Sequence, residues 1–138
     1  MSISQVKAAI ADVLETVSGI KRIYQTAPNS LPPADLPAAV IYTGAAQYVE
    51  RGYDVNGEVR TYALRLYVLP AQNGIPGEAE ALCEPFFAAV GAAFAPGARL
   101  GRLAGILEAR LTGDQGVSVL DLGGVPYVGI AFQLEVTT

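Results

Sequence analysis

The stretch Gly123–Val136, GGVPYVGIAFQLEV, decides the fold, because it joins a tight turn to the clearest alternation in the sequence. Two consecutive glycines are typical of a turn, and the residues behind them follow the period of two that marks a β-strand. One face of this strand carries Val128, Ile130, Phe132, Leu134 and Val136, and the other carries Tyr127, Gly129, Ala131, Gln133 and Glu135. The small residues Gly129 and Ala131 predict a close neighbour, either a helix of the same chain or another subunit.

Further turn signals upstream predict more strands. Strands over 106–112 and 117–122 would flank a turn at Gly113–Gly116. Asn56-Gly57 is a favoured hairpin turn, and strands over 47–55 and 58–69 would flank it. That turn would pair Arg51 with Tyr62, Tyr53 with Arg60, and Tyr48 with Arg65. Near the sheet the predicted core face is Tyr62, Leu64, Leu66 and Val68, and beyond it the hairpin tip is predicted to project as a two-stranded arm.

Two amphipathic helices are predicted. Ser2 and Gln5 have capping-box spacing and open a helix over 3–18, which Gly19 ends. A second helix is predicted over 78–94, with Pro85 kinking or dividing it. The apolar stripe expected on this second helix is Leu82, Phe86, Val90 and Phe94, with Phe87 beside it.

Four prolines between Ala27 and Pro37 predict a stiff, extended loop, because proline lacks an N–H donor and restrains the residue before it. Short strands are expected on either side, over 20–25 and 38–42. Nothing in the sequence marks a second domain, so residues 1–138 are interpreted as a single domain.

Composition excludes several classes of function. The 138 residues include no His, no Trp and one Cys, and 16% of them are charged. Catalytic triads and zinc sites depend on residues that are nearly absent here, so we expect no enzyme, cofactor or metal site. The net charge of −4 argues against electrostatic binding to nucleic acid. No segment is typical of a membrane span or a signal peptide, which indicates a cytosolic, reducing site of assembly.

The remaining candidates for chemistry have simpler structural interpretations. Cys83 has no base to activate it, and helix packing explains it better than catalysis. Glu78, Glu80 and Glu84 would form a cation site or an acid pair only if they converged with Asp121, and a solvated acidic face is favoured.

A group of tyrosines and arginines on the predicted hairpin is the main candidate site. These residue types are enriched in protein interfaces and their hot spots. The predicted interface residues are Tyr48, Arg51, Tyr53, Arg60, Tyr62, Arg65 and Tyr67, with Leu31, Pro32 and Pro33 of the proline loop as a second contact. Two alternatives stay open: Tyr–Arg pairs that only support an exposed ribbon, and, less favoured, a stacking surface for single-stranded nucleic acid.

The order of elements resembles the tail-terminator, or tail-completion, proteins of long-tailed bacteriophages and phage-like particles. The resemblance is carried by the opening helix, the segment PNSLPPADLPAAVIY (28–42), the long hairpin, the second helix and the closing GGVPYVGIAFQLEV (123–136). It covers nearly the whole chain, and none of its motifs is a catalytic signature.

The resemblance implies an α+β subunit with two main helices packed on a mainly antiparallel sheet of four to five strands. It implies a homo-oligomeric ring, usually a hexamer, at the head-proximal end of the virion tail. The ring would cap the tail tube protein, stop its polymerisation and dock to the head–tail connector, while DNA passes through the lumen. A neck or minor tail protein is the first alternative, and a small-ligand-binding domain or a His-independent enzyme is a distant one.

Overall fold

The structure, a computed structural model, describes residues 2–50, 56–71, 76–95 and 105–138. Its elements in chain order are α1 (Ile3–Leu14), β1 (Arg22–Tyr24), a 3-10 turn (Pro33–Asp35), β2 (Ala38–Glu50), β3 (Asn56–Pro70), α2 (Pro76–Ala93), β4 (Glu108–Leu122) and β5 (Val125–Thr137). The strands form one sheet in the order β1-β2-β3-β5-β4. Only β1 and β2 are parallel, so the expected α+β fold with a mainly antiparallel sheet is confirmed.

The two helices cover one face of the sheet, called here the helix face. The predicted capping box is present, since Ser2 and Gln5 bond reciprocally at the start of α1. Burial of the apolar side of each helix against the sheet supplies the main core, with each fully buried large side chain contributing roughly 1.5–3 kcal/mol. The strand residues of this core include Tyr62, Leu64, Leu66, Ile130, Phe132, Leu134 and Val136, as the alternation in β3 and β5 predicts.

A second, smaller core lies on the opposite face, called here the loop face. The proline-rich segment folds over this face, and Leu31 and Leu36 are both buried there. The Tyr127 hydroxyl donates a hydrogen bond to the carbonyl oxygen of Leu31 at 3.3 Å, which ties the loop to β5. The residues beneath the loop are Ala38, Val40, Tyr67, Leu120, Leu122, Tyr127 and Ala131.

The predicted hairpin turn at Asn56-Gly57 is wrong. Both residues belong to β3 and pair with Glu50 and Val49 of β2. Tyr48 therefore faces Glu58, Tyr62 faces Thr43, and Arg65 faces Val40, so the predicted Tyr–Arg pairs do not form. The register that buries Tyr62, Leu64 and Leu66 under the helices outweighs the local turn preference.

The projecting arm is not confirmed. From Val59 to Tyr67, β3 is an interior strand with β2 on one side and β5 on the other. The hairpin tip, with Arg51 and Tyr53, lies outside the described residues.

The predicted turn at Gly113–Gly116 is also wrong, because β4 runs without reversal from Glu108 to Leu122. Irregularities in its pairing with β5 occur between Leu111 and Gly113 and between Asp114 and Val117. The Asp114 carboxylate accepts a hydrogen bond from the Gly116 N–H at 2.8 Å, and Gly116 has a φ of +71°. Bulges accommodate the turn-forming residues inside a strand. The turn predicted at Gly123-Gly124 is confirmed between β4 and β5.

Helix α2 faces the core with a slightly different side than predicted. Pro85 lies inside α2 and does not divide it. Phe86, Val90 and Phe94 are buried as expected, but Leu82 is 50% exposed, while Ala79 and Cys83 are buried. Residues spaced strictly by four, as in the predicted stripe, move around the helix axis by about 40° at each step, because a helix has 3.6 residues per turn. Mixed spacings of three and four, as from Ala79 through Cys83 to Phe86, keep the buried residues on one side of the helix.

Gly129 provides a test of the sheet geometry. A Cβ at this position would collide with the backbone carbonyl of Leu66 in β3, so the close neighbour predicted from this small residue is a strand of the same chain. We expect Gly129→Ala to lower the free energy of unfolding by about 1–3 kcal/mol, because the sheet must shift to admit the methyl group.

The matched control is Gly113→Ala, where nothing lies within 4 Å of the added Cβ and the effect should stay within about 0.5 kcal/mol. Urea denaturation of both variants measures the difference. Equal stability of the two variants would contradict the close β3–β5 approach.

Candidate functional surfaces

Of the tyrosines and arginines predicted as an interface, those that the structure describes do not form one surface, and Arg51 and Tyr53 lie outside the described residues. Tyr62 is buried under the helices, and Tyr67 is buried on the loop face. Burial raises the pKa of both phenols. Tyr48 is 73% exposed at the outer edge of β2. The group therefore divides into core residues and an exposed edge residue.

Arg60 holds the end of β2 to β3. Its guanidinium donates to both carboxylate oxygens of Glu58, at 3.1 and 3.0 Å, and to the Gly44 carbonyl oxygen at 2.9 Å. It also approaches the Tyr48 hydroxyl at 3.4 Å. Hydrogen bonding to Glu58 raises the pKa of the guanidinium, so Arg60 remains a fixed cation. Its role in the structure is to join two strands at their irregular pairing, between Thr43 and Ala46.

Arg65 fits the alternative interpretation, in which tyrosines and arginines support the sheet rather than bind a partner. Its guanidinium carbon lies 5.0 Å from the centre of the Tyr42 ring, and the Tyr42 and Tyr67 hydroxyls are 3.1 Å apart. Tyr67 in turn packs edge-on against Tyr127, with ring centres 5.5 Å apart. These tyrosine and arginine contacts stabilise the sheet within the chain.

The proline loop is divided between packing and exposure. Leu31 is only 4% exposed and belongs to the loop-face core, whereas Pro32 and Pro33 are exposed. Of this predicted contact, the two prolines are the part that a partner can reach.

Exposed apolar side chains mark the two opposite ends of the sheet. The upper end is defined here as the end where β5 finishes and β4 begins, and the lower end carries the Gly123-Gly124 turn. Near the upper end, Ile3, Tyr48, Val49 and Leu107 are exposed to between 38% and 73%. Toward the lower end, Val119 and Val125 are exposed to 62% and 41%. Sequence reasoning missed this division, because residues that meet at one end come from distant parts of the chain.

Two shallow clefts accompany these ends. The upper cleft, of about 520 Å³, is lined by Ser2, Ile3, Tyr48, Gly57, Glu58, Gly105 and Thr138. The cleft between α2 and β4, of about 400 Å³, is lined by Ala71, Ala79, Glu80, Val117, Ser118, Val119 and Val128. Leu82, two residues after Glu80 on the same helix, is 50% exposed.

The sheet also has open edges on its two sides. Strand β4 is the last strand on one side. On the other side, β1 pairs only with Ala38–Val40 of β2, so the rest of β2, from Ile41 to Glu50, has no outer neighbour among the described strands. Unpaired backbone donors and acceptors on such an edge are able to bind another strand.

The carboxylates do not form a metal site in the described part of the chain, where no group of three or more Cys, Asp or Glu could hold an ion. Glu78, Glu80, Glu84 and Asp121 are all exposed. Cys83 is buried, and burial, followed by the nearby charge of Glu80, raises the pKa of its thiol. No helix within the described ranges has the length and apolar character needed to cross a membrane.

Comparison of the sequence with protein-family models and with curated proteins finds no match.

Arg60 and Arg110 differ in how far their ion pairs are shielded, which makes them a matched pair for mutation. The Arg60 side chain is 14% exposed, whereas Arg110 is 60% exposed and lies 3.6 Å from Glu135. We expect Arg60→Ala to cost about 1–3 kcal/mol of stability, because it removes several charged hydrogen bonds. Arg110→Ala should cost less than about 1 kcal/mol, because water already screens that pair.

Chemical denaturation of the two variants measures both values. A larger loss for Arg110→Ala would show that Arg60 does not hold β2 to β3. Because Arg60 bonds to Glu58 and Gly44 within the chain, reversing its charge would change the stability of the fold as well as any contact with a partner. Such a variant cannot test an interface alone.

Cys83 should be unreactive in the folded chain. Burial hides the thiol, and its raised pKa lowers the thiolate fraction at a given pH. We expect Cys83 to react with DTNB at pH 8 only as fast as the protein opens, and at the full rate of a free thiol in denaturant. Rapid labelling without denaturant would contradict the packing of α2 on the sheet.

Proposed function

We propose that this chain is a structural subunit of a ring that terminates the tail of a long-tailed bacteriophage or a phage-like particle. The observation that carries the proposal is the separation of its free surfaces. Exposed apolar groups lie toward the two ends of the sheet, and unpaired strand edges lie on its two sides. A subunit of such a ring needs lateral contacts to its copies and axial contacts to two different partners.

The lateral contacts fit ring closure. The two open edges belong to different strands, so a contact between them is head-to-tail and leaves one free edge of each kind for the next copy. Repetition of such a contact by a closing rotation produces a ring without free ends. A hexamer is the subunit number that the family resemblance implies.

The axial contacts fit a position between two assemblies. Ile3 and Val49 at the upper end, and Leu82 and Val119 toward the lower end, are apolar groups that burial against a partner would stabilise. In the proposal, one end binds the last ring of the tail tube and the other binds the head–tail connector. The ring thereby blocks further addition of tube protein and occupies the head-proximal end of the virion tail, after assembly in the host cytoplasm.

The charge of the subunit suits a channel through which DNA moves. Asp12 of α1, Glu15 at the end of that helix, and Glu78, Glu80 and Glu84 of α2 are all exposed. Among the described helical residues only Lys7 opposes them. Phosphate binding depends on clustered cations, so a surface of this kind does not hold DNA tightly.

A neck or minor tail protein of the same kind of particle would use the same edges and ends. The two proposals differ only in partner, because a neck protein binds the head connector without capping the tube. For the ligand-binding alternative, the cleft between α2 and β4 is lined by two polar side chains, the Glu80 carboxylate and the buried Ser118 hydroxyl, among apolar residues. It therefore offers little of the convergent polar chemistry that small-molecule sites use.

Electron microscopy of cognate tail tubes, incubated with and without the chain, tests the proposal. We expect a ring-shaped cap at one end of each tube, and tubes that no longer elongate when tube protein is added. A chain carrying Asp in place of Leu82 serves as a matched variant, because Leu82 is exposed and the fold should tolerate the change.

Capping by the unmodified chain together with weaker binding of Leu82→Asp to one axial partner supports the proposal. Binding to isolated head connectors but not to tubes would replace it with the neck protein. Binding to neither would overturn both.

A further inference from the structure

We infer that the outer edge of β2 in one copy pairs antiparallel with the upper part of β4 in the next copy, so that the sheets of neighbouring subunits become continuous. This inference rests on the proposed ring and names the contact that closes it. The occupant of each open edge is therefore a second copy of this chain.

The two edges lie at the same height in the sheet. Gln47 of β2 pairs with Val59, Val59 pairs with Thr137, and Thr137 pairs with Glu108 of β4. These four residues form one row across the sheet, and paired residues point to the same face. A pure rotation about an axis parallel to the strands keeps height unchanged, so it brings Glu108 of one copy opposite Gln47 of the next.

The strand directions also match. β2 is antiparallel to β3, β3 to β5, and β5 to β4, so β4 runs opposite to β2 within one subunit. Rotation about that axis preserves direction, so β4 of one copy and β2 of its neighbour meet as antiparallel strands. In this arrangement each edge supplies the hydrogen-bond donors and acceptors that the other lacks.

The irregularities in each strand limit the pairing of β2 with β4 of the next copy, called here the seam, to this height. Pairing of β2 with β3 is irregular between Thr43 and Ala46 and regular from Ala46 to Glu50. Pairing of β4 with β5 is regular from Glu108 to Leu111 and irregular after it. Bulges twist an edge away from a partner. The regular segments of the two edges share the row of Gln47 with Glu108 and the row of Ala46 with Ala109, so these rows are the parts suited to pairing.

The side chains at this height favour burial of the edge against another copy, because few charges guard the edge against pairing. The free part of β2, Ile41–Glu50, carries Glu50 as its only charged residue, although edge strands are commonly guarded by charges. Tyr48 and Leu107, exposed to 73% and 62%, flank Gln47 and Glu108. In the seam these two apolar residues come together at the upper end, adding apolar burial to the backbone hydrogen bonds.

Cysteine cross-linking tests the seam. Gln47→Cys and Glu108→Cys both change exposed residues, and Cys83 stays in place because it is buried. Residues paired across antiparallel strands have Cα separations of about 4.5–5.5 Å, which disulfides accept. Under mild oxidation, with and without tail tubes, an equal mixture of the two variants should give covalent dimers. Each variant alone should not, because the contact joins unlike edges.

Val119→Cys paired with Gln47→Cys is the matched control, since Val119 is an exposed β4 residue toward the opposite end of the sheet. The expected yield for Gln47 with Glu108 exceeds this control by at least about tenfold, because disulfide geometry tolerates little displacement. A chain carrying both Gln47→Cys and Glu108→Cys should form a ladder of covalent oligomers that ends at the ring. Cross-linking of either single variant with itself, or equal yields with Val119→Cys, would overturn the seam.

The outcomes separate this inference from the proposed function. Cross-linked rings that do not bind tubes would support the seam and overturn the terminator proposal. If rings form on tubes but Gln47→Cys and Glu108→Cys do not cross-link, the terminator proposal stands and the proposed seam is wrong. Neither cross-links nor tube binding would overturn both.

Leu107→Asp and Val119→Asp give a second readout that does not depend on disulfide chemistry. The two residues are equally exposed, at 62%, so neither change should disturb the folded monomer. Leu107→Asp places a charge in the seam and should abolish ring formation, measured by analytical ultracentrifugation of the tube-free protein, in which the axial contact proposed for Val119 plays no part. Equal loss from Val119→Asp would contradict a seam at the upper end.

Discussion

Leu66 and Tyr67 are adjacent in β3, and they point into two different cores. Leu66 packs beneath the helices, whereas Tyr67 lies beneath the proline loop and contacts Tyr127. Because β3 and β5 are the interior strands, burial on both of their faces fixes the register of the sheet. A slip of one residue would exchange the two sets of side chains. The order of strands, the path of the proline loop and the position of each open edge all depend on this constraint.

That constraint also determines which surfaces are left for partners. The helix face is covered by α1 and α2, and the lower part of the loop face is covered by Leu31 and Leu36. In the part of the chain that the structure describes, the outer edges of β2 and β4 and the two ends of the sheet are left uncovered, and Tyr48, Leu107 and Val119 are exposed there. A subunit with this distribution is suited to lateral and axial contacts at the same time, which is the requirement of a ring placed between two assemblies.

The sequence predicts well what short-range patterns control. The Ser2–Gln5 capping box, the alternation in β5 and the Gly123-Gly124 turn are all confirmed. It fails where long-range packing competes with a local signal, as at Asn56-Gly57 and Gly113–Gly116, which become parts of strands. The interface prediction fails for Tyr62 and Tyr67 for a related reason: composition identifies them as interface residue types, but only the register shows that they are buried. Composition also identifies Tyr48, which is exposed, but the open edges become visible only once the strand order is known.

Hydrogen–deuterium exchange on the chain alone and on the chain incubated with the tail tubes of the proposed function tests the central proposal most directly, namely that this protein assembles through its sheet edges. The account predicts slower exchange on assembly in two separate segments together, Ala46–Tyr48 of β2 and Leu107–Ala109 of β4. Amides of the interior strand β3, already bonded on both sides, should not change. Protection confined to the proline loop or α2, or no change at either edge, would contradict assembly through the sheet edges.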